Sequence, residues 1–217
     1  SAATARAQGS TFTVRGWTLE DGLPTSTVQD IAQTPDGYLW LSTTGGLARF
    51  DGPRFEVLGP EQGLPSTRLQ GLAVAGDGSL YASSEDGSVV RWDGRRFTTF
   101  PPSGLMAHSL VALPDGSLLG NGAGRLWRVR EGVANRLDPI DLWPFVVLDS
   151  VGRAWLNASG ARPARLDGDR IVPIGPPGEP WDRWVPDSRT GVPLFFRSLG
   201  RDAELLDPRL ARVTLVP

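Results

Sequence analysis

The sequence contains no cysteine and no lysine, and it has a single histidine, His108, among 217 residues. The absence of cysteine excludes disulfide frameworks, zinc–thiolate sites and thiol catalysis. A single histidine excludes a multi-histidine metal site, and a Ser-His-Asp triad would have to use His108. No apolar run approaches the ~18 residues that a membrane-spanning helix needs. The sequence therefore predicts neither a metal site nor a cofactor.

The charges are nearly balanced, with 22 arginines against 24 acidic residues and a net charge of −2. This balance argues against a broadly basic surface, so we expect no nucleic-acid partner. Residues 1–8 have no apolar core and do not form an intact signal peptide. The cysteine-free composition fits an exported protein.

Glycine and proline are abundant, at 27 and 19 residues, which favours short strands separated by turns over long helices. A turn followed by an apolar strand recurs every 36 to 41 residues, at Asp36-Gly37, Asp77-Gly78, Asp115-Gly116, Val151-Gly152 and Thr190-Gly191. An arginine recurs in phase with it, at Arg49, Arg91, Arg128 and Arg165. Shared periodicity of two landmarks indicates an internal repeat.

Each repeat contains four strand-like segments, and its Asp-Gly pairs lie where two-residue hairpins need positive φ. Four antiparallel strands in a unit of about 40 residues predict an all-β fold, a β-propeller of four-stranded blades. We expect a flexible segment at 1–10 and a propeller domain at 11–217. Five blades are visible, at about 18–59, 60–100, 101–136, 137–174 and 175–217.

Residues 12–17 form one more strand-like segment, ahead of the first blade. In a closed ring we expect this segment to complete the last blade as its outermost strand. The fifth blade already has a fourth strand, so we expect further blades after residue 217. A closed five-bladed ring with a redundant strand is the alternative. Open strand edges favour association, and a homodimer is among the expected assemblies.

Residues 17–58 resemble the two-component regulator propeller repeat in three motifs: Gly22-Leu-Pro24, Asp36-Gly37-Tyr-Leu-Trp40 and Gly46-Leu-Ala-Arg49-Phe-Asp-Gly52. Ser42 departs from the pattern, since the family has glycine there. The resemblance implies a seven-bladed extracytoplasmic sensor region of a bacterial membrane receptor. It also implies a transmembrane helix and an output domain, a histidine kinase, hybrid kinase or diguanylate cyclase, outside these residues. Many such receptors respond to carbohydrates.

The predicted binding surface is the propeller face that carries the loops between blades, since rigid scaffolds present binding residues on loops. Trp143, Trp181 and Trp184 lie in these loops, and flat aromatic faces suit sugar rings. Arg183 stands beside two of them and is a hydrogen-bond donor for hydroxyl groups. The alternative is that these tryptophans pack against the neighbouring prolines.

His108 and Arg68 lie in loops of the same face and complete the predicted ligand-binding set. A solvated loop histidine is the alternative for His108. The sequence favours a non-enzymatic sensor that binds a small molecule or oligosaccharide. A protein-interaction propeller is the second hypothesis, and a propeller lyase or hydrolase that uses His108 is the third. No catalytic residue is assigned.

Overall fold

The computed structural model describes residues 2–7, 10–100, 107–122, 125–137, 145–157, 162–174, 183–186, 193–199, 202–207 and 211–215. Within these residues the chain is built from β-strands and two single-turn 3₁₀ helices, Leu19–Asp21 and Pro60–Gln62. The predicted all-β propeller class is therefore confirmed. An N-terminal hairpin of β1 (Ala2–Ala7) and β2 (Ser10–Arg15) precedes five four-stranded antiparallel sheets.

Each sheet is one blade with strands in chain order. Blade 1 contains β3 (Val28–Gln33), β4 (Leu39–Thr43), β5 (Gly46–Phe50) and β6 (Phe55–Leu58). Blade 2 contains β7 (Leu69–Val74), β8 (Leu80–Ser84), β9 (Val89–Trp92) and β10 (Phe97–Phe100). Blade 3 contains β11 (Ser109–Ala112), β12 (Leu118–Gly122), β13 (Arg125–Arg130) and β14 (Val133–Leu137).

Blade 4 contains β15 (Phe145–Leu148), β16 (Ala154–Asn157), β17 (Ala164–Asp167) and β18 (Arg170–Pro173). Blade 5 contains β19 (Arg183–Pro186), β20 (Pro193–Leu199), β21 (Asp202–Asp207) and β22 (Ala211–Leu215). The first strands of successive blades lie side by side, β3 against β7 and β7 against β11. These first strands are therefore the innermost ones.

The N-terminus differs from the sequence-based expectation. The strand predicted at 12–17 lies at Ser10–Arg15 and pairs with Ala2–Ala7, not with a blade. Residues 2–7, expected to be flexible, thus form a strand. The physical reason is that each of the five blades already has its own fourth strand, so β2 finds its hydrogen-bonding partner in the preceding residues.

Two opposite faces of each blade make the core between blades. The forward face packs on the next blade, and in blade 1 it consists of Trp40, Leu47 and Leu58. The rear face packs on the preceding blade, and in blade 2 it includes Leu72, Leu80, Ala82 and Val90, all buried. The pattern repeats between blades 2 and 3 and between blades 3 and 4. Between blades 4 and 5, Trp155 packs on Phe195.

Polar links accompany this apolar packing between blades 1 and 2. The carboxylate Oδ2 of Asp30 accepts a hydrogen bond from the backbone N–H of Leu72 at 2.8 Å. The buried hydroxyl of Ser42 donates to the carbonyl of Gln70. Ser42 thus has a structural role at the position where the family pattern has glycine, because its hydroxyl joins two blades.

Candidate functional site

One end of the blades carries both the connections between blades and the turns between second and third strands, and we call it the loop face. Direct contacts bring the two sets of loops together. The backbone N–H of Glu85, in the turn after β8, donates to the carbonyl of Arg68 at 3.0 Å. The backbone N–H of His108 donates to the carbonyl of Asn121 at 2.8 Å. The predicted binding positions Arg68 and His108 therefore lie at this end.

Arg68 belongs to a polar cluster on the loop face of blade 2. Its guanidinium Nη1 lies 3.0 Å from Oε2 of Glu85, and Nε2 of Gln70 donates to Oε1 of the same carboxylate at 3.2 Å. The Arg68 side chain is 66% exposed and that of Glu85 36% exposed. An ion pair this exposed contributes little to stability. The cluster presents charged hydrogen-bond donors and acceptors to solvent, which suits a ligand rich in hydroxyl groups.

His108 is exposed on the same face, one residue before β11. Phe145, the first residue of β15, occupies a comparable place in blade 4 and is 66% exposed. The sequence analysis did not identify Phe145 as an exposed residue. The strand register contains a signal for this exposure. Phe145 pairs with Asn157 in the same way that Ser109 pairs with Asn121, so Phe145 occupies a position that is polar in blade 3.

The structure describes only part of the predicted aromatic set. Trp143 and Trp181 lie outside the described residues. Arg183 and Trp184 are the first two residues of β19, the innermost strand of blade 5, and the description there is limited to the backbone. That start of β19 is the end of the blade at which Phe145 stands in blade 4. A binding role for the tryptophans and Arg183 remains a prediction.

The opposite end, the turn face, carries the turns between first and second strands and the repeated arginines. Arg91 bonds the turn of its own blade, through Asp77 Oδ2 at 2.9 Å and Ser79 Oγ at 2.8 Å. Arg128 is more deeply placed, with its side chain 6% exposed. It bonds its own turn at Asp115 and also blade 4, at the carbonyl of Gly168 and at Asp169. Arg91 and Arg128 therefore stabilise the scaffold of the blades.

Clefts between blades open on the turn face. One of about 410 Å³ lies between blades 1 and 2, and one of about 210 Å³ lies between blades 3 and 4. Asp77 in the first cleft is held ionised, because a hydrogen bond from the Ser79 backbone lowers its pKa. Asp115 in the second also has a lowered pKa, since hydrogen bonds from Ser117 and Arg128 outweigh the opposing effect of burial. The two clefts lie at equivalent places between neighbouring blades, which indicates that they arise from the spacing of the blades.

Within the part of the chain that the structure describes, no group of three or more His, Cys, Asp or Glu side chains is arranged to hold a metal ion. The same residues include no helix with the length and apolar character needed to cross a membrane.

Comparison with known proteins identifies one family match and two similar folds. Residues 71–92, from β7 to β9, match the family described as strictosidine synthase-like, N-terminal. The fold is similar to that of virginiamycin B lyase from Staphylococcus aureus, with a TM-score of 0.64 and 12% identity over 99% of this chain and 76% of the lyase. It is equally similar to the extracellular domain of a hybrid two component system from B. thetaiotaomicron, with 16% identity, 93% coverage of this chain and 31% of that chain. These likenesses establish the propeller fold.

Two matches rest on sequence. "Histidine kinase P4" of Formosa agariphila is 44% identical over 52 residues, which are 24% of this chain and 4% of the kinase. The chain thus spans a small part of that relative. Residues 22–45, from the Gly22 turn to the end of β4, match the two component regulator propeller family. The resemblance seen in the sequence is confirmed, and the chain carries a two-component regulator propeller repeat in the first blade of a β-propeller.

Proposed function

We propose that this propeller is a ligand-sensing module of an extracytoplasmic signalling receptor, and that it takes a hydroxyl-rich small molecule or oligosaccharide on the loop face. The observation that carries the proposal is the set of exposed groups on that face: the Arg68–Glu85–Gln70 cluster in blade 2, His108 in blade 3 and Phe145 in blade 4. The family match at 22–45 and the fold shared with an extracellular domain of a two component system support the sensor role.

The chemistry of the face suits this ligand class. Charged donors and acceptors bond hydroxyl groups in a directional way, and an exposed aromatic ring stacks on the apolar face of a sugar ring. A sensor needs a ligand that prefers one arrangement of the receptor, because a ligand with equal affinity for two conformational states leaves their populations unchanged. In this proposal, the propeller is connected to the transmembrane and output segments of the receptor.

An enzymatic role has less support, although a lyase shares the fold. Acid–base catalysis needs groups that converge on one reacting atom. The single histidine, His108, is exposed at its loop. The family match at 22–45 is to a regulator propeller, so the non-enzymatic interpretation is the one we propose for these residues.

The test is a titration of the chain with neutral and uronic-acid oligosaccharides of two to six sugars, read by tryptophan fluorescence and thermal shift. We expect at least one saccharide to bind. The Arg68→Ala and Phe145→Ser variants should each bind it about tenfold more weakly, the loss of about 1.4 kcal/mol.

Val133→Ser is the matched control, because Val133 is 61% exposed on β14, the outermost strand of blade 3. Its affinity should equal that of the unmodified chain. Absence of binding across the panel would contradict the ligand class. Unchanged affinity in the Arg68 and Phe145 variants would contradict the site.

A further inference from the structure

The two clefts on the turn face are equivalent in the repeat but differ in volume, at about 410 Å³ between blades 1 and 2 and about 210 Å³ between blades 3 and 4. Each is lined by the turns after the first strands of its two blades and by the turn after the third strand of the second blade. The residues at equivalent places are Pro35 and Pro114, Asp36 and Asp115, Gly78 and Gly152, and Gly94 and Gly168. The two clefts can therefore be compared residue by residue.

An arginine of the chain occupies the smaller cleft. The guanidinium of Arg128 donates a hydrogen bond to Oδ2 of Asp115, in blade 3, at 2.6 Å. It also donates to two acceptors in blade 4, the carbonyl of Gly168 at 2.6 Å and Oδ1 of Asp169 at 3.0 Å. Arg128 is among the residues that line this cleft. The smaller cleft is therefore a guanidinium site that the chain fills with its own side chain.

The larger cleft has acceptors of the same kind and an aromatic wall. Three carboxylates line it, those of Asp36, Asp77 and Asp93. All of its lining residues lie in the described part of the chain, and none of them is an arginine. Trp92, which is half-buried, stands at the position that Leu166 has in the smaller cleft. Because a tryptophan ring attracts a guanidinium placed over its face, this wall favours a cationic group in addition to the carboxylates.

The carboxylate of Asp36 has an oxygen in the place that binds a guanidinium in the next two blades. In those blades the equivalent carboxylate uses Oδ1 for its own turn and Oδ2 for an arginine, in the pairs Asp77–Arg91 and Asp115–Arg128. The described hydrogen bonds of Asp36 lie within its own turn and use Oδ1. Asp36 is exposed, so among the described contacts its Oδ2 faces solvent where its equivalents have a guanidinium.

The arginine of blade 1 at the equivalent position, Arg49, is held by its own blade. The strand register places Arg49 opposite the second-strand tryptophan of blade 1, as Arg128 lies opposite the second strand of blade 3. The guanidinium Nε of Arg49 donates to Oε2 of Glu56, on the outermost strand, at 3.0 Å. Blade 3 has Asn135 in the place of Glu56, which has no charge to hold Arg128. The carboxylate of Glu56 thus keeps Arg49 away from the acceptors of the larger cleft.

We propose that the cleft between blades 1 and 2 is a binding site for a guanidinium group from outside the chain, carried by a free arginine derivative or by an arginine side chain of a peptide. In this site Asp36 Oδ2 and the carbonyl of Gly94 accept from the guanidinium, as their equivalents accept from Arg128, and Trp92 lies against its planar face. The volume of the cleft is within the range of small-molecule sites. The site lies at the opposite end from the loop face and does not depend on the proposed function.

The test is isothermal titration calorimetry of the 217-residue chain with the N-acetyl amides of arginine, lysine and citrulline. Citrulline has the shape of arginine but carries an uncharged urea group. We expect the arginine compound to bind about tenfold or more tightly than the citrulline compound, because charge-assisted hydrogen bonds are lost with the charge. It should also bind more tightly than the lysine compound, since an ammonium lacks the planar fork of donors.

A tripeptide, acetyl-Gly-Arg-Gly-amide, distinguishes the two sources of the guanidinium. Tighter binding of the tripeptide than of N-acetylarginine amide indicates a peptide partner, because backbone groups then add to the contact. Equal affinity of the two compounds indicates a small molecule, because the guanidinium and its stem then supply the whole contact.

Asp36→Asn should weaken the binding of the arginine compound about tenfold, because the side chain keeps an oxygen for its own turn but loses its charge. Asp51→Asn is the matched control. Asp51 accepts from the backbone N–H of Arg54 in another turn of blade 1 and is not among the lining residues, all of them described, so the affinity should be unchanged. Unchanged affinity in Asp36→Asn would overturn the proposal. Equal affinity for the arginine and citrulline compounds, or no binding of either, would also overturn it, and this comparison needs no variant.

Discussion

The indole Nε1 of Trp155 donates a hydrogen bond to Oδ2 of Asp149 at 3.0 Å, and the bond is buried. Trp155 lies on the second strand of blade 4, and Asp149 begins the turn that precedes it. Blade 1 has the same arrangement, with Trp40 Nε1 bonded to Thr34 Oγ1 at 2.9 Å. A buried indole N–H needs an acceptor, and the turn supplies one in each case.

Blades 2 and 3 differ from blades 1 and 4 at both positions. Blade 2 has Tyr81 at the position of the tryptophan and Ala75 at the start of the turn. Blade 3 has Leu119 and Leu113 at the same two positions. Blades 1 and 4 therefore have both the indole and a side-chain acceptor at the turn, whereas blades 2 and 3 have neither.

Asp149→Ala should lower the free energy of unfolding by about 1–3 kcal/mol, because the substitution leaves the Trp155 N–H buried without an acceptor. Asp149→Thr should lose less, since blade 1 shows that a threonine hydroxyl accepts from the indole. Urea unfolding followed by circular dichroism measures the difference. Val151→Ser, in the same turn and 68% exposed, is the control and should be nearly neutral. Equal losses for Asp149→Ala and Asp149→Thr would show that the hydrogen bond is not the cause.

The same carboxylate predicts an acid-dependent stability. Burial raises the pKa of Asp149, but hydrogen bonds from Trp155 and Arg153 outweigh it and the net pKa is lowered. A folded-state pKa below the unfolded value of about 3.9 gives stabilisation that is complete above that value and is lost as the pH falls through the folded pKa.

We therefore expect the melting temperature of the unmodified chain to fall more steeply below about pH 4 than that of Asp149→Thr, which has no carboxylate to protonate. Thermal melts at several pH values between neutral and acid measure the two slopes. Asp77, Asp115 and Asp169 also have lowered pKa values and are common to both proteins, so they contribute equally. Parallel slopes would mean that Asp149 does not titrate with folding.

The architecture was predictable because local chemistry and the repeat agree. Asp-Gly pairs predicted hairpin turns, and Gly37 and Gly78 adopt φ values of 92° and 84°, which favour glycine. Short apolar segments that follow such turns predicted the strands. The pairing of β2 was not predictable, because a strand that precedes the first repeat has no equivalent in the chain from which its partner can be read.

The contacts between blades were predictable in kind but not in detail. The sequence shows Arg128 as one of four arginines that recur with the repeat, yet its bonds to Gly168 and Asp169 depend on the distance between blades, whose bonded residues are about 40 positions apart in sequence. The site was less predictable still. Arg68 and His108 could be placed on the loop face from their loops, whereas the exposure of Phe145 depends on how blade 4 meets its neighbours.

Arg128→Ala should destabilise the fold by about 3 kcal/mol, because it leaves the partners of a buried, multiply bonded guanidinium without their donor. Arg91→Ala is the matched comparison. Arg91 is 37% exposed and bonds only its own blade among the described contacts, so we expect a loss of about 1 kcal/mol or less. Denaturant unfolding of the two variants measures the gap. Equal losses would show that the link from blade 3 to blade 4 adds nothing to stability.

Gly71 marks a close approach between the innermost strands of blades 2 and 3. A Cβ at this position would lie 2.7 Å from the backbone nitrogen of Leu110 and 2.8 Å from Cα of Ser109, in the neighbouring blade. Both contacts are with backbone, so no flexible side chain can move aside. In blade 1 the equivalent position holds Asp30, whose carboxylate accepts a hydrogen bond from the backbone N–H of Leu72 in blade 2.

Gly71→Ala should therefore cost about 1–3 kcal/mol, the usual effect of forcing an extra carbon into a packed interface. Gly76→Ala is the control, because a Cβ there meets nothing within 4 Å, and its effect should stay within about 0.5 kcal/mol. The two variants have the same composition, so any difference comes from the site. Chemical unfolding gives the free energies, and amide exchange in β7 and β11 locates the effect. A neutral Gly71→Ala would mean that blades 2 and 3 move apart freely, and the packing of their innermost strands would not limit stability.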